Sequence, residues 1–114
     1  MSEECLFCRI VAGELPARKL FEDEHVFAFA DIRPVAPVHV LVLPKRHLPG
    51  LDAARPEDAA LLGRLQLAAA GLARQLGLEP GYRTVVNNGP AAGQTVAHLH
   101  LHLLGGRPLG WPPG

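Results

Sequence analysis

The sequence predicts an α+β domain with a mostly antiparallel sheet, and three observations support this. Three short apolar runs precede residue 45, one helical apolar periodicity occupies residues 56–76, and two more strand-like runs follow it. Strands grouped around a single crossover helix favour antiparallel pairing over a repeated β-α-β winding. At 114 residues and 48% hydrophobic content the chain reads as one domain, 1–114, with residues 105–114 as a tail.

The elements run α-β-β-β-α-β-β. Leu6, Phe7 and Ile10 have near-helical spacing between Cys5 and Ala12; Gly13 stops that segment and Pro16 lies beyond it. Lys19–Glu22 and His25–Ala30 form a hairpin around Asp23-Glu24, and His39–Leu43 makes a third strand ending at Pro44. Pro56 suits a first helical position. Ala60, Leu61, Leu65, Leu67, Ala68, Leu72 and Leu76 then recur at helical intervals up to Gly77. Tyr82–Asn87 and His98–Leu104 complete the strands, and the Gly89–Gly93 loop separates them.

A formal charge of zero argues against a broad electrostatic surface for nucleic acid or anionic membrane, so any phosphate is held locally. No basic stretch leads into an apolar run near the start, and no segment reaches membrane-spanning length, so the expected location is the cytoplasm. In that reducing setting Cys5 and Cys8 read as a metal or redox pair before a disulfide.

His98-Leu99-His100-Leu101-His102 is the most informative stretch. On a strand it places three imidazoles on one face, roughly 6.5–7 Å apart, and two leucines on the other. Burying such a row without a ligand desolvates polar nitrogens, so the pattern points to an anion site. The preceding loop, Gly89 to Val96, contains Gly93, Gln94 and Thr95; its glycines let backbone N–H groups approach phosphate oxygens, and Thr95 adds a hydroxyl. Asp31 ends an apolar strand and offers two oxygens to a vicinal diol. Ile10, Phe29 and Ile32 are apolar candidates for a slot taking a flat base.

His98 to Leu104 resembles the signature of the histidine triad (HIT) family, and its nucleotide-binding (Hint) branch fits best. The likeness extends through Gly13–Ala17, Phe29–Ile32, Pro37–His39, Leu43–His47, Gly81–Arg83, Gly105–Arg107 and the closing Trp111-Pro112-Pro113-Gly114. The resemblance implies a five-stranded sheet joined to a second copy's in a ten-stranded homodimer. It also implies a hydrolase of purine nucleoside phosphoramidates, including AMP- and GMP-amidates and aminoacyl adenylates. It casts His100 as the nucleophile that takes the nucleotide onto its ring, with His102 at the phosphate and leaving group and His98 and His39 behind them. Asn87, Gly93, Gln94, Thr95 and Val96 then line the phosphate, and Asp31 and Ile32 the nucleoside. Trp111 lies toward the partner's site. A second reading keeps the site but takes dinucleoside polyphosphates, against which the Trp-Pro-Pro-Gly ending argues. A third is a nucleotide-binding or partner-binding protein with incidental turnover.

The pair Cys5 and Cys8 needs two further ligands for a tetrahedral zinc site. Some bacterial members of the family are similar here, and the matching ligands are His47 and His98. The implied zinc is structural, and the chemical step needs no cofactor.

Overall fold

Alternation along the strands sorts the side chains into two apolar layers, one on each face of a single sheet. The computed structural model describes residues 4–114. The strands are β1 (Lys19–Glu22), β2 (Val26–Ala30), β3 (Val38–Pro44), β4 (Tyr82–Val85) and β5 (Leu101–Gly105), with helices α1 (Leu6–Val11) and α2 (Ala59–Gln75). Their spatial order is β1-β2-β3-β5-β4, and every neighbouring pair is antiparallel. No described helix is long and apolar enough to cross a membrane.

On one face Val26, Ala28, Val40, Val42, Leu101 and Leu103 meet Leu65, Ala69, Leu72 and Ala73 of α2. On the other, Phe27, Phe29, Leu41 and Leu43 meet Phe7 and Ile10 of α1. The histidines of β3 and β5 share this second face, beside α1. Gly105 lets the turn after α2 close on the end of β5, because a Cβ there would lie 2.8 Å from Leu78 Cδ1.

Several boundaries differ from the sequence expectation. β2 begins at Val26 rather than His25, because Asp23 Oδ1 accepts the N–H groups of both His25 and Val26 at 2.8 Å and holds them in the turn. The long helix begins at Ala59 after a single 3-10 turn over Pro56–Asp58, where Asp58 accepts the Arg55 N–H at 2.8 Å and Arg46 Nη2 at 2.6 Å. Leu67 is 74% exposed, and the small Ala69 and Ala73 occupy the close approach to the sheet instead. β4 ends at Val85 rather than Asn87.

β5 begins at Leu101 rather than His98. The His98 N–H turns back to the Val96 carbonyl at 2.9 Å, and the Leu99 N–H goes to Leu48 O at 2.6 Å, outside the ladder. Side-chain alternation still holds: Leu99, Leu101 and Leu103 all enter the α2 core.

Leu103 is fully buried at the centre of that layer. Leu103→Ala is expected to lower unfolding free energy by about 2–5 kcal/mol, read from urea denaturation, through lost burial and a residual cavity.

Candidate active site and metal centre

The three triad imidazoles divide between two networks. His100 and His102 lie side by side with ring centroids 5.1 Å apart, closer than flat strand spacing predicts. His98 instead joins the cysteines. His100 Nδ1 donates to the His98 carbonyl at 2.7 Å, so in the neutral ring Nε2 carries the lone pair. His100 is 5% exposed, and among the described residues no buried side-chain nitrogen or oxygen lacks a partner. Its Nε2, which has no protein partner among them, therefore reaches solvent.

A second chain of bonds orients His102. The Val35 N–H donates to His39 Nδ1 at 3.1 Å, which leaves the proton of the neutral His39 ring on Nε2. That Nε2 lies 2.9 Å from His102 Nδ1 and 3.3 Å from Asp31 Oδ2. His102 Nδ1 thus accepts, and its Nε2–H is left as a donor. Burial holds the pKa of His39 below the usual imidazole value, and the Asp31 carboxylate opposes that shift. Burial also pushes His102 down, to about 4, with the neighbouring His100 and His39 adding to the effect.

The second network is a tetrad of Cys5, Cys8, His47 and His98, whose ligand atoms all lie within 4.8 Å of one another. Cys5 Sγ is 3.4 Å and Cys8 Sγ 3.5 Å from His98 Nδ1; Cys8 Sγ is 3.3 Å from His47 Nδ1, and the two Nδ1 atoms are 3.2 Å apart. Around a tetrahedral zinc with Zn–S about 2.3 Å and Zn–N about 2.0–2.1 Å, N and N sit about 3.3 Å apart and S and N about 3.6 Å. The donor set fits that ion. His98 Nε2 donates to the Pro44 carbonyl at 2.9 Å, which turns the Nδ1 lone pair toward the tetrad, as a metal ligand requires. Burial and the adjacent Cys5 push the Cys8 thiol up to about 11, a shift that a bound dication reverses.

The HIT domain family model matches residues 12–109. The chain belongs to the HIT family. This HIT protein is 54% identical to a HIT-like protein of Synechocystis sp. over 114 residues, which cover both chains in full. It matches the crystal structure of a HIT family hydrolase from Legionella pneumophila with a TM-score of 0.96 and 49% identity, covering 97% of this chain and 100% of that one. A histidine triad nucleotide-binding protein from Candida albicans matches with a TM-score of 0.82 and 36% identity, over 96% of this chain and 83% of that one.

Other expected positions of the HIT domain divide into groups. Asn87 is half-buried near Gly93, which is left-handed at φ 95°, and Thr95 is exposed on the same loop. Gln94, expected at the phosphate, is a loop staple: its Oε1 accepts the Gly89 N–H at 2.8 Å, and its Nε2 donates to Pro49 O at 2.7 Å and Val96 O at 3.0 Å. Val96 packs against the second apolar layer. The base slot does not assemble as expected, because Ile10 of α1 and Phe29 of β2 are buried together in the core while Ile32 is 89% exposed. Asp31 Oδ1 accepts the Arg33 N–H at 2.8 Å, leaving Oδ2 beside His39. Trp111 is 81% exposed and lies over the Arg83 guanidinium of its own chain, 5.8 Å from carbon to ring centroid.

Sequence reasoning missed two contributors to this HIT site. Phe7 sets its ring edge-on to His100 at 5.0 Å, and its position between the two cysteines was the available signal. The Val35 N–H is a backbone group in a loop and leaves no signal in side-chain pattern.

An imidazole depressed in the folded state takes up its proton more readily in the unfolded chain, so folding is favoured above the ordinary pKa and opposed as pH falls. The His102 resonances are expected to titrate near pH 4, and stability to decline as pH drops from 6.5 toward 4, read by NMR titration and denaturant unfolding across that range.

Proposed function

We propose that this protein is a hydrolase of purine nucleoside phosphoramidates that works through a nucleotide bound covalently to His100. The observation that carries this reading is the 2.7 Å bond from His100 Nδ1 to the His98 carbonyl, which commits Nε2 as the only free lone pair of that ring. The HIT hydrolase from Legionella pneumophila and the nucleotide-binding protein from Candida albicans supply further support.

In the first step His100 Nε2 attacks phosphorus and the P–N bond breaks, its electron pair going to the amine nitrogen, which takes a proton from the His102 imidazolium formed when the anionic substrate binds. His102 donates from Nε2 to a phosphoryl oxygen, and that oxyanion raises the His102 pKa from its low resting value toward one suited to proton delivery. Backbone N–H groups near Gly93, with Thr95 and Asn87, take the remaining phosphate oxygens, and Asp31 Oδ2 the ribose hydroxyls. In the second step water attacks phosphorus, the bond to His100 breaks, and the water proton returns to His102. Phosphate binding opposes the desolvation that keeps His102 neutral.

Zinc held by Cys5, Cys8, His47 and His98 would supply rigidity alone, since four protein ligands close a tetrahedral site. A second copy of the chain would cover the edge at β4, where Tyr82 is 43% exposed and Trp111 reaches out. That pairing extends the sheet and removes an exposed strand edge. We place the protein in the cytoplasm, where the thiols of Cys5 and Cys8 stay reduced.

Adenosine phosphoramidate is expected to turn over much faster than a diadenosine polyphosphate, and His100→Ala to lower kcat by about 10³-fold or more. Mass spectrometry of quenched wild type should find a nucleotidyl group on His100. Turnover unchanged in His100→Ala would remove the reading. For the metal, protein purified without added zinc should carry about one ion per chain, falling steeply in Cys8→Ser; a ratio near zero in wild type would exclude it.

A further inference from the structure

Two groups hold the His100 ring from the tetrad side. One is the His98 carbonyl, which accepts Nδ1–H at 2.7 Å. The other is Phe7, whose ring meets His100 edge-on at 5.0 Å and 85°, and touches His98 at 6.0 Å. Both groups belong to the tetrad's own backbone segments. His98 is a ligand, and Phe7 stands between ligands Cys5 and Cys8 on α1, a helix of six residues whose N-cap is Cys5.

So short a helix has almost no stability of its own, and its place is set by what ties it down. Two attachments do so: the apolar layer around Phe7 and Ile10, and the tetrad, which links α1 to His47 after β3 and to His98 before β5. The apolar attachment is non-directional and tolerates small slides, whereas four ligands around one ion do not. A slide of α1 would carry Phe7 across His100, and release of the His98 side chain would loosen the carbonyl two residues before the nucleophile.

We propose that the tetrad, loaded with a zinc-like divalent cation, is the positioning device for His100, acting through Phe7 and the His98 carbonyl. Phe7 is then a positioning residue that never meets substrate. This rests on His100 being the nucleophile, and the experiment separates the two claims.

Long-range proton–nitrogen NMR of the zinc-loaded full chain is expected to show a protected Nδ1–H on His100. Stripping the ion with a chelator should abolish that protection while far-UV circular dichroism is retained, and restoring zinc should return it. Phe7→Leu keeps all four ligands; it should hold about one zinc per chain, lose the protected signal, and lower kcat by about tenfold with KM within about twofold.

A chelated wild type that keeps the protected signal overturns the proposal, as does a folded, zinc-loaded Phe7→Leu with wild-type kcat. Should Phe7→Leu fail to fold, the chelation arm alone decides. Absence of any nucleotidyl group on His100 in active wild type overturns the hydrolase reading instead, and the Nδ1–H arm still reports on positioning.

Discussion

An imidazole has two nitrogens and only one can attack, so the group that claims the other decides what the ring can do. For His100 that group is the His98 carbonyl, 2.7 Å from Nδ1. Residue 98 is itself held at several points: its N–H bonds to Val96 O at 2.9 Å, its Nε2 donates to Pro44 O at 2.9 Å, and its Nδ1 faces the two cysteines and His47. The geometry of the His100 ring is thus inherited from its neighbour. Because a carbonyl belongs to the backbone, no substitution at residue 98 removes it outright; what a substitution alters is how firmly it is held.

His102 is governed from the opposite side by the same logic. The chain Val35 N–H, His39, His102 passes one donor along three groups and ends with a proton on His102 Nε2. His100 therefore presents a lone pair and His102 a proton, two complementary roles from identical side chains two residues apart on one segment. Neutrality makes this workable. Adjacent imidazolium ions would repel, and burial depresses His98, His39 and His102 alike, so these three rings resist protonation.

Much of this was legible in the residues, and what was missed has physical causes. The alternation at 98–103 is readable because Leu99, Leu101 and Leu103 must bury against α2, and a one-residue slip would expose them all. The start of β5 was not, since it depends on Leu48 capturing the Leu99 N–H from far along the chain. Leu67, counted with the helical pattern, faces solvent because two residues on from the buried Leu65 it lies about 200° round the helix, opposite the face that holds Leu65, Ala69 and Leu72. Gln94 was expected among the nucleotide-binding residues; that its amide also ties Gly89 to Pro49 depends on backbone groups that side-chain pattern does not reveal. The tetrad was visible as two cysteines in need of two ligands, and His98 was already expected both there and in the triad; that its own carbonyl is the group His100 donates to followed only from the folded geometry.

The size of α1 is the reason the zinc proposed above would suit this position better than a larger apolar element. Six helical residues span about 9 Å, whereas five strands with four gaps of about 4.8 Å extend about 19 Å, so α1 covers only part of its face. A longer helix would anchor itself by burial alone. It would also cover more of the face that His39 and His102 share with Leu41. Cross-linking through four side chains holds a short helix without widening it. The short helix and the cysteine pair therefore meet at one ring: His100 is held by Phe7 and the His98 carbonyl on one side, and its Nε2 reaches solvent on the other.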